Sequence, residues 1–398
     1  MPQDTDLIRL AYVVHTFDMG GLERCIARLV NNLDPSQFIP TVICLNRNGD
    51  AAGWIERADV PVVALHKRPG NDPLVIWRLS KTLREHNIDI VHSHNWGTLL
   101  ETTLARRLAR IPIHIHAEHG LELADLRIGD WRRRLRGRTA RWALRQADVV
   151  VAVADGVRER LTTRFGHPAE KVRLIPNGVD SMTGNGSQLA GVRLRRSLGI
   201  PEDAFVVGSV GRLAPVKDFG TAVEAVGLMV GKGMNVHLVL VGDGPQRDSL
   251  AARADAAGME SHTHLVGRQT DVGDWLAAMD LYVNSSLNEG MSLSILEAMA
   301  AGLPLVVTDV GENAALVDGR PACGRIVPSA APDQLAQAME QLLEDNQSRK
   351  QMSNCSRERF QRLYSTQQMV SCYESLYRTA CSRRPKRVRQ TPYSKADK

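Results

Sequence analysis

The stretch AFVVGSVGRLAPVKDFG, residues 204–220, reads as a strand, a turn and the entry to a helix. The apolar run Ala204 to Val210 is the strand, and a helical pattern follows the turn. In a doubly wound sheet such a turn lies at the carboxyl ends of the strands, where ligands bind. The turn holds Arg212 and Lys217. Arg supplies a planar fork of donors and Lys a compact charge, and together they suit a diphosphate.

Further along, SSLNEGMSLSILEAMAAG (285–302) packs a polar loop, a helix start and two carboxylates into one span. Leu293, Leu296, Met299 and Ala300 recur at helical spacing, and Gly302 with Pro304 closes the element, so a short helix begins near Ser292 or Ser294. Its first-turn N–H groups lack intrahelical partners and carry the positive end of the dipole, which makes Asn288 to Leu293 a seat for phosphate or sugar oxygens. Glu289 precedes this helix and Glu297 lies inside it. Ser294 and Glu297 also stand at capping-box spacing, so Glu297 either faces a ligand or satisfies the Ser294 backbone N–H.

Around these two stretches the chain alternates strand and helix patterns. LIRLAYVV, FIPTVICLN, PVVAL, IDIVHSH, PIHIHAE, ADVVVAV and KVRLI are strands of a first parallel sheet, with helical patterns at 21–33, 73–86, 98–110 and 155–165. SMTGNGSQLAG (181–191) is Gly/Ser/Asn-rich and reads as a linker. AFVVGSV, NVHLVLVG, THLVG, DLYVNS, LPLVVTD and GRIVP then repeat the alternation, and 332–345, 347–362 and 366–381 are helical. This divides the chain into two Rossmann-like α/β domains, residues 1–182 and 183–365, then a helix at 366–381 and a basic tail at 382–398.

Gly211, Arg212, Lys217 and the Glu289/Glu297 pair resemble the donor-site motifs of the family 4 glycosyltransferases of GT-B fold, and the resemblance runs from about residue 7 to 380. It implies transfer of a sugar from a nucleotide diphosphate-sugar with retention of anomeric configuration, in a cleft between the two domains, with the last helix crossing back onto the first. UDP is the commonest donor base in the family and GDP-mannose comes next; the acceptor is a glycan or a lipid-linked sugar. HTFDMGGLE, HKRPGND and HAEHG look closest to sugar transferases of exopolysaccharide loci.

Site roles follow from the same resemblance. Arg212 and Lys217 meet the diphosphate, Glu297 the ribose hydroxyls, and Glu289 with the backbone of Gly290, Met291, Ser292 and Leu293 the sugar. His119 faces the sugar from the other side, or is a loop-packing histidine. Gly20 and Gly21 resemble the donor-phosphate loop; read alone, they are a strand-to-helix turn. Gly242 in VGDGP lies beside the donor, and Gly267 and Arg268 in VGRQTDV offer backbone groups to the nucleobase, or both are ordinary turns. No metal or other cofactor is expected. The Asp-x-Asp at Asp4, Thr5, Asp6 lies too far upstream of the first strand's end to hold a metal-diphosphate, so basic side chains stand in for a divalent ion. His92, His94, His114, His116 and His119 crowd together like a metal cluster, but alternation puts His114 and His116 on one strand face with no Cys nearby.

Composition narrows the class. A content of 43% hydrophobic residues in 398 supports real cores. The net charge of +6 sits in the tail from Ser382, so the rest is formally neutral and no nucleic-acid partner is expected. Six scattered cysteines suggest neither disulfides nor zinc. With no apolar run of spanning length and no signal pattern, the expected location is cytoplasmic, peripheral at the inner face of the membrane. That second half rests on DWRRRLRGRTARWALRQ (130–146), where Arg132 to Arg145 supply seven arginines: a helix lying on anionic lipid, or a solvated face over a packed helix. Other classes fare worse. An NAD-dependent oxidoreductase needs a GxGxxG that HTFDMGGLE lacks. A nucleotide-sugar epimerase of the same fold, or a silent nucleotide-sugar-binding regulator, remains open.

Overall fold

Among the described residues, thirteen mainly apolar runs form thirteen parallel strands in two sheets. The structure is a computed structural model and describes residues 7–70, 72–120, 131–182 and 185–383, with backbone alone for 131–136 and 185–188. Asp4 to Asp6, the side chains of Arg132, Arg133, Arg134 and Arg136, and the tail from 384 lie outside the described residues.

The first sheet holds β1 (Ile8–Val14), β2 (Phe38–Cys44), β3 (Val62–Ala64), β4 (Ile90–His94), β5 (Ile113–Glu118), β6 (Val149–Ala152) and β7 (Val172–Leu174), in the order β3-β2-β1-β4-β5-β6-β7. The second holds β8 (Phe205–Val210), β9 (Val236–Val241), β10 (Thr263–Gly267), β11 (Leu281–Asn284), β12 (Leu305–Thr308) and β13 (Gly324–Val327), in the order β10-β9-β8-β11-β12-β13. In the first half the helices are α1 (Gly21–Asn32), α2 (Leu74–Glu85), α3 (Trp96–Ala109), α4 (Trp131–Arg145) and α5 (Asp155–Thr163). Then come α6 (Asn185–Ser197), α7 (Phe219–Gly231), α8 (Arg247–Ala256), α9 (Val272–Ala277), α10 (Leu293–Ala301) and α11 (Asn313–Val317). The chain closes with α12 (Pro332–Glu344), α13 (Asn346–Leu363) and α14 (Thr366–Ser382).

Helices cover both faces of each sheet, which is why most of the strands read as mainly apolar runs. Alternation along β1 shows it: Leu10, Tyr12 and Val14 pack with Ile26 and Leu29 of α1, while Ala11 and Val13 pack with Val75 and Leu79 of α2. The C-terminal helix α14 returns to the first sheet, with Met369, Tyr373 and Tyr377 in the same cluster as Leu10 and Tyr12. Its Tyr377 hydroxyl lies 3.0 Å from the Tyr12 hydroxyl and 2.9 Å from His92 Nδ1. The chain passes between the halves near Val179 and again near Ser365, and the two passes are bonded to each other: Val179 N–H to Tyr364 O and Thr366 N–H to Val179 O, both 2.9 Å.

The Gly/Ser/Asn-rich stretch read as a linker is helical from Asn185 onward, as the start of α6. Gly191 lies within that helix. A Cβ there would stand 2.5 Å from the Ala277 carbonyl oxygen, so this glycine lets α6 lie against the end of α9. Among the described residues, no helix is long and apolar enough to cross a membrane.

Candidate active site

Strand order reverses between β1 and β4 in the first sheet and between β8 and β11 in the second. The loops leaving the carboxyl ends of those four strands are where a doubly wound sheet binds ligands. They carry Gly20 and Gly21 after β1, Asn95 after β4, Gly211 to Lys217 after β8, and Ser285 to Ser292 after β11. His119 follows the neighbouring β5.

The structure brings most of the expected residues together. A Cβ on Gly21 would lie 3.1 Å from Leu293 Cδ1, so α1 and α10, from opposite halves, start face to face. Gly20 and Ser292 are their N-caps, and neither helix has a side-chain cap. Two sets of first-turn N–H groups thus meet in one place, with two positive dipole ends. Glu23 reaches back over Gly20, and burial raises its carboxyl above the usual range. Gly290 is a close approach: a Cβ there would stand 2.9 Å from the His119 carbonyl oxygen and 3.2 Å from Gly120 Cα.

Lys217 Nζ lies 2.5 Å from Glu289 Oε1. The same oxygen accepts from Ser286 Oγ at 2.7 Å and from Asn284 Nδ2 at 3.3 Å. Below it a buried polar shelf sets the loop: Thr308 Oγ1 donates to Ser286 O (2.7 Å), Asn313 Nδ2 to Asn284 Oδ1 (2.9 Å) and Ser285 Oγ to Lys217 O (3.0 Å). Arg212 is exposed in the same turn. Its neighbours interlock: Gly211 N–H donates to Val241 O (2.9 Å) and Gly242 N–H to Gly267 O (2.8 Å), while Arg268 is exposed beyond β10. Met291 is buried in a core cluster shared by both halves and Ser292 is buried beside Ser294, so these two present backbone rather than side chain.

Glu297 is not a cap. The N-cap is Ser292, which puts Ile295 at the third helical position, and Glu297 instead takes Arg28 of α1, Nη2 to Oε1 at 3.3 Å. Arg28 Nε lies 2.8 Å from Asp180 Oδ2, and Asp180 Oδ1 accepts from Thr366 Oγ1 at 2.7 Å.

The histidine cluster divides by partner. Ser93 Oγ bridges His114 Nε2 (2.8 Å) and His116 Nδ1 (2.9 Å), and His92 is tied to Tyr377. His94 Nδ1 lies 3.0 Å from His119 Nε2, and the His119 N–H donates to Asn95 Oδ1 at 3.1 Å. Burial holds His119 down to about 4 and His116 to about 3, so both imidazoles are neutral at pH 7. Among the described residues no group of three His, Cys, Asp or Glu is placed to hold a metal ion.

Two family descriptions fit this chain: Glycosyltransferase Family 4 over residues 19–182 and Glycosyl transferases group 1 over residues 193–359. The lipopolysaccharide core biosynthesis glycosyltransferase LpsE of Rhizobium meliloti is 33% identical over 251 residues, 63% of this chain and 68% of that one. The chain belongs to the family 4 glycosyltransferases. A UDP-Gal:alpha-D-GlcNAc-diphosphoundecaprenol alpha-1,3-galactosyltransferase of Escherichia coli is 26% identical over 78% of this chain and 81% of its own. The crystal structure of Anabaena Alr3699/HepE in complex with UDP superposes with a TM-score of 0.80 at 20% identity, over 94% of this chain and 100% of that chain. The fold of this glycosyltransferase is therefore GT-B.

Sequence reasoning missed Arg28, Asp180, Asn284, Ser286 and His94 as parts of this glycosyltransferase's cleft. The one available signal was a lone cation, Arg28, within the otherwise apolar run Cys25 to Val30 of α1. In α4, Ala143 and Leu144 are buried in the core while Arg138 and Arg141 are exposed, so the arginine-rich helix is packed along one face.

Proposed function

We propose that this glycosyltransferase moves a sugar from a nucleotide diphosphate-sugar, a UDP-sugar first and GDP-mannose next, to a glycan or lipid-linked acceptor with retention of configuration, in exopolysaccharide or other surface glycan synthesis. The observation that carries the reading is the meeting of the α1 and α10 N-termini beside the Lys217–Glu289 pair. A departing diphosphate gathers negative charge, and preorganised donors aimed at that charge are the largest single contribution to such a transfer. Lys217, Arg212 and the first-turn amides provide them and take the place of a divalent ion. Glu289, oriented by Ser286 and Asn284, accepts from the sugar hydroxyls, and His119 faces the sugar as a neutral imidazole. Glu297, held by Arg28, accepts from the ribose hydroxyls. With Glu289 engaged on hydroxyls, no enzyme nucleophile lies under the anomeric carbon in this reading, and the acceptor attacks from the leaving-group face.

HepE in complex with UDP and with UDP-glucose supports the choice of base, and the diphosphoundecaprenol-linked acceptor of the Escherichia coli relative supports a lipid-linked one. In this reading such an acceptor would bring the enzyme to the inner face of the membrane, with Arg138, Arg141 and Trp142 of α4 against anionic lipid. The test is incubation with candidate donors and lipid-diphosphate-linked acceptors. Acceptor-dependent release of nucleoside diphosphate is expected. Release without acceptor means transfer of the sugar to water, and an epimerised sugar in that product would make the protein an epimerase; no release from a bound donor would make it a silent binder.

A further inference from the structure

The amino ends of the first sheet carry a second concave site, which glycosyl transfer does not use. A cavity of about 360 Å³ opens there, lined by Arg106, Arg107, Arg110, Arg145, Lys171 and Asp148. Arg110 lies just before β5, Asp148 just before β6 and Lys171 just before β7, whereas His119 follows the far end of β5. The length of that strand alone puts ~20 Å between the two sites.

Arg106 is committed to the fold. It donates to the carbonyls of Ile111, Pro112 and Gln146 at 3.1, 2.9 and 2.8 Å and pairs with Asp148 at 3.0 Å, a locally neutral unit. The other four cations form no ion pair with a described carboxylate. Arg107 Nη2 reaches Gln146 Oε1 at 2.6 Å, and its guanidinium lies 5.0 Å from the Trp142 ring centroid. The C-terminal ends of α3 and α4 contribute about half a negative charge each, which leaves roughly +3 facing one cavity. Arg110 adds a backbone argument: it holds the left-handed conformation (φ 56°) at the end of α3, where Gly or Asn would serve the turn better. The turn does not call for an arginine; its charge is what this position contributes.

We propose that this cavity binds a phosphate-bearing ligand with two or more negative charges, whose oxygens the guanidinium forks take in pairs. A free diphosphate and the phosphomonoester headgroup of an anionic lipid share that chemistry. Leu108 (51% exposed) and Trp142 (38% exposed), beside Arg107, offer the lipid an apolar footing. The proposal does not rest on the transferase reading.

The test titrates pyrophosphate by calorimetry into the full chain, into Lys217→Ala to weaken the cleft's contribution, and into Arg145→Gln/Lys171→Gln. An isotherm kept in Lys217→Ala and weakened at least about tenfold in Arg145→Gln/Lys171→Gln is expected, since each charge-assisted contact is substantial. Arg110→Asn, which suits the left-handed turn, weakens it without threatening the fold. A second arm sediments the chain with phosphatidylcholine vesicles with or without phosphatidic acid. Retention by phosphatidic acid that pyrophosphate competes away and the double variant loses assigns the site to headgroups; an isotherm without retention assigns it to free phosphates. An isotherm unchanged in both pocket variants, or neither isotherm nor retention, overturns the proposal.

Discussion

Arg28 Nη2 and Glu297 Oε1 lie 3.3 Å apart, both side chains buried and one from each half of the molecule. The pair makes the carboxylate proposed for the ribose part of the interface between the halves. Two desolvated charges stabilise little as a pair, but either one left alone is expensive. Arg28→Ala is therefore expected to cost about 3 kcal/mol, read by urea unfolding, and Arg28→Lys to recover part of it. Glu297→Gln is expected to weaken donor binding with a smaller loss of stability. Donor affinity equal to wild type in Glu297→Gln would make this carboxylate structural.

Lys217→Ala and Arg212→Ala are each expected to lower turnover roughly 100-fold, the scale for removing one preorganised donor. Both side chains lie outside the core, so thermal unfolding should shift little for Arg212→Ala. Near wild-type turnover at saturating donor in either variant would move the diphosphate elsewhere.

Gly290 touches the His119 carbonyl across the cleft. Adding a methyl group there forces backbone apart from backbone, so Gly290→Ala should lower turnover while each half keeps its fold. Circular dichroism and kinetics on the same preparation separate the two effects. An unaffected rate would mean that the halves need not approach this closely.

Acid should destabilise the protein early. His92, His94, His114 and His116 are buried, and desolvation holds all four below the ordinary 6.5. A folded-state value below the unfolded one means that the unfolded chain binds more protons between the two, so the stability is complete above about pH 6.5 and is lost as pH falls below it. Each such histidine contributes a slope of up to about 1.4 kcal/mol per pH unit. Carboxylates with lowered values, such as Asp72 held down by the Arg68 backbone N–H, lose their contribution only below about pH 4. The Tm should therefore fall steeply from pH 6.5 to 5, and a flat profile over that range would contradict the burial argument.

Turnover should continue in EDTA, and an α-linked donor should give an α-linked product by NMR. The first expectation rests on charge supplied by Arg212, Lys217 and helix amides, the second on Glu289 being engaged with hydroxyls. Loss of activity in EDTA with rescue by magnesium would reveal a metal requirement, and a β-linked product would exclude retention.

The parallel strands were legible because strands covered on both faces, such as Val149–Ala152, are continuous apolar runs. Arg212 and Glu289 stood out as candidates because polar turns after such strands fall at the ligand-binding edge. Arg28 was not, since its partners stand 152 and 269 positions away and no local pattern names them. Gly191 misled because a glycine that permits close packing looks the same in sequence as one that permits flexibility. The Ser294–Glu297 spacing left two readings of Glu297 open because a capping box exists only if the helix starts at the right residue, and here it starts at Leu293.

The paired passes at Val179 and Ser365 limit how the two halves move. Because both connections lie side by side and are hydrogen-bonded to each other, they act as one pivot rather than two tethers. Sliding or pulling the halves apart breaks that ladder, whereas turning about it does not. Opening of the cleft at Gly21 and Leu293 would thus be set by an angle about that pivot, and Asp180, bonded to Arg28 and Thr366, lies beside it.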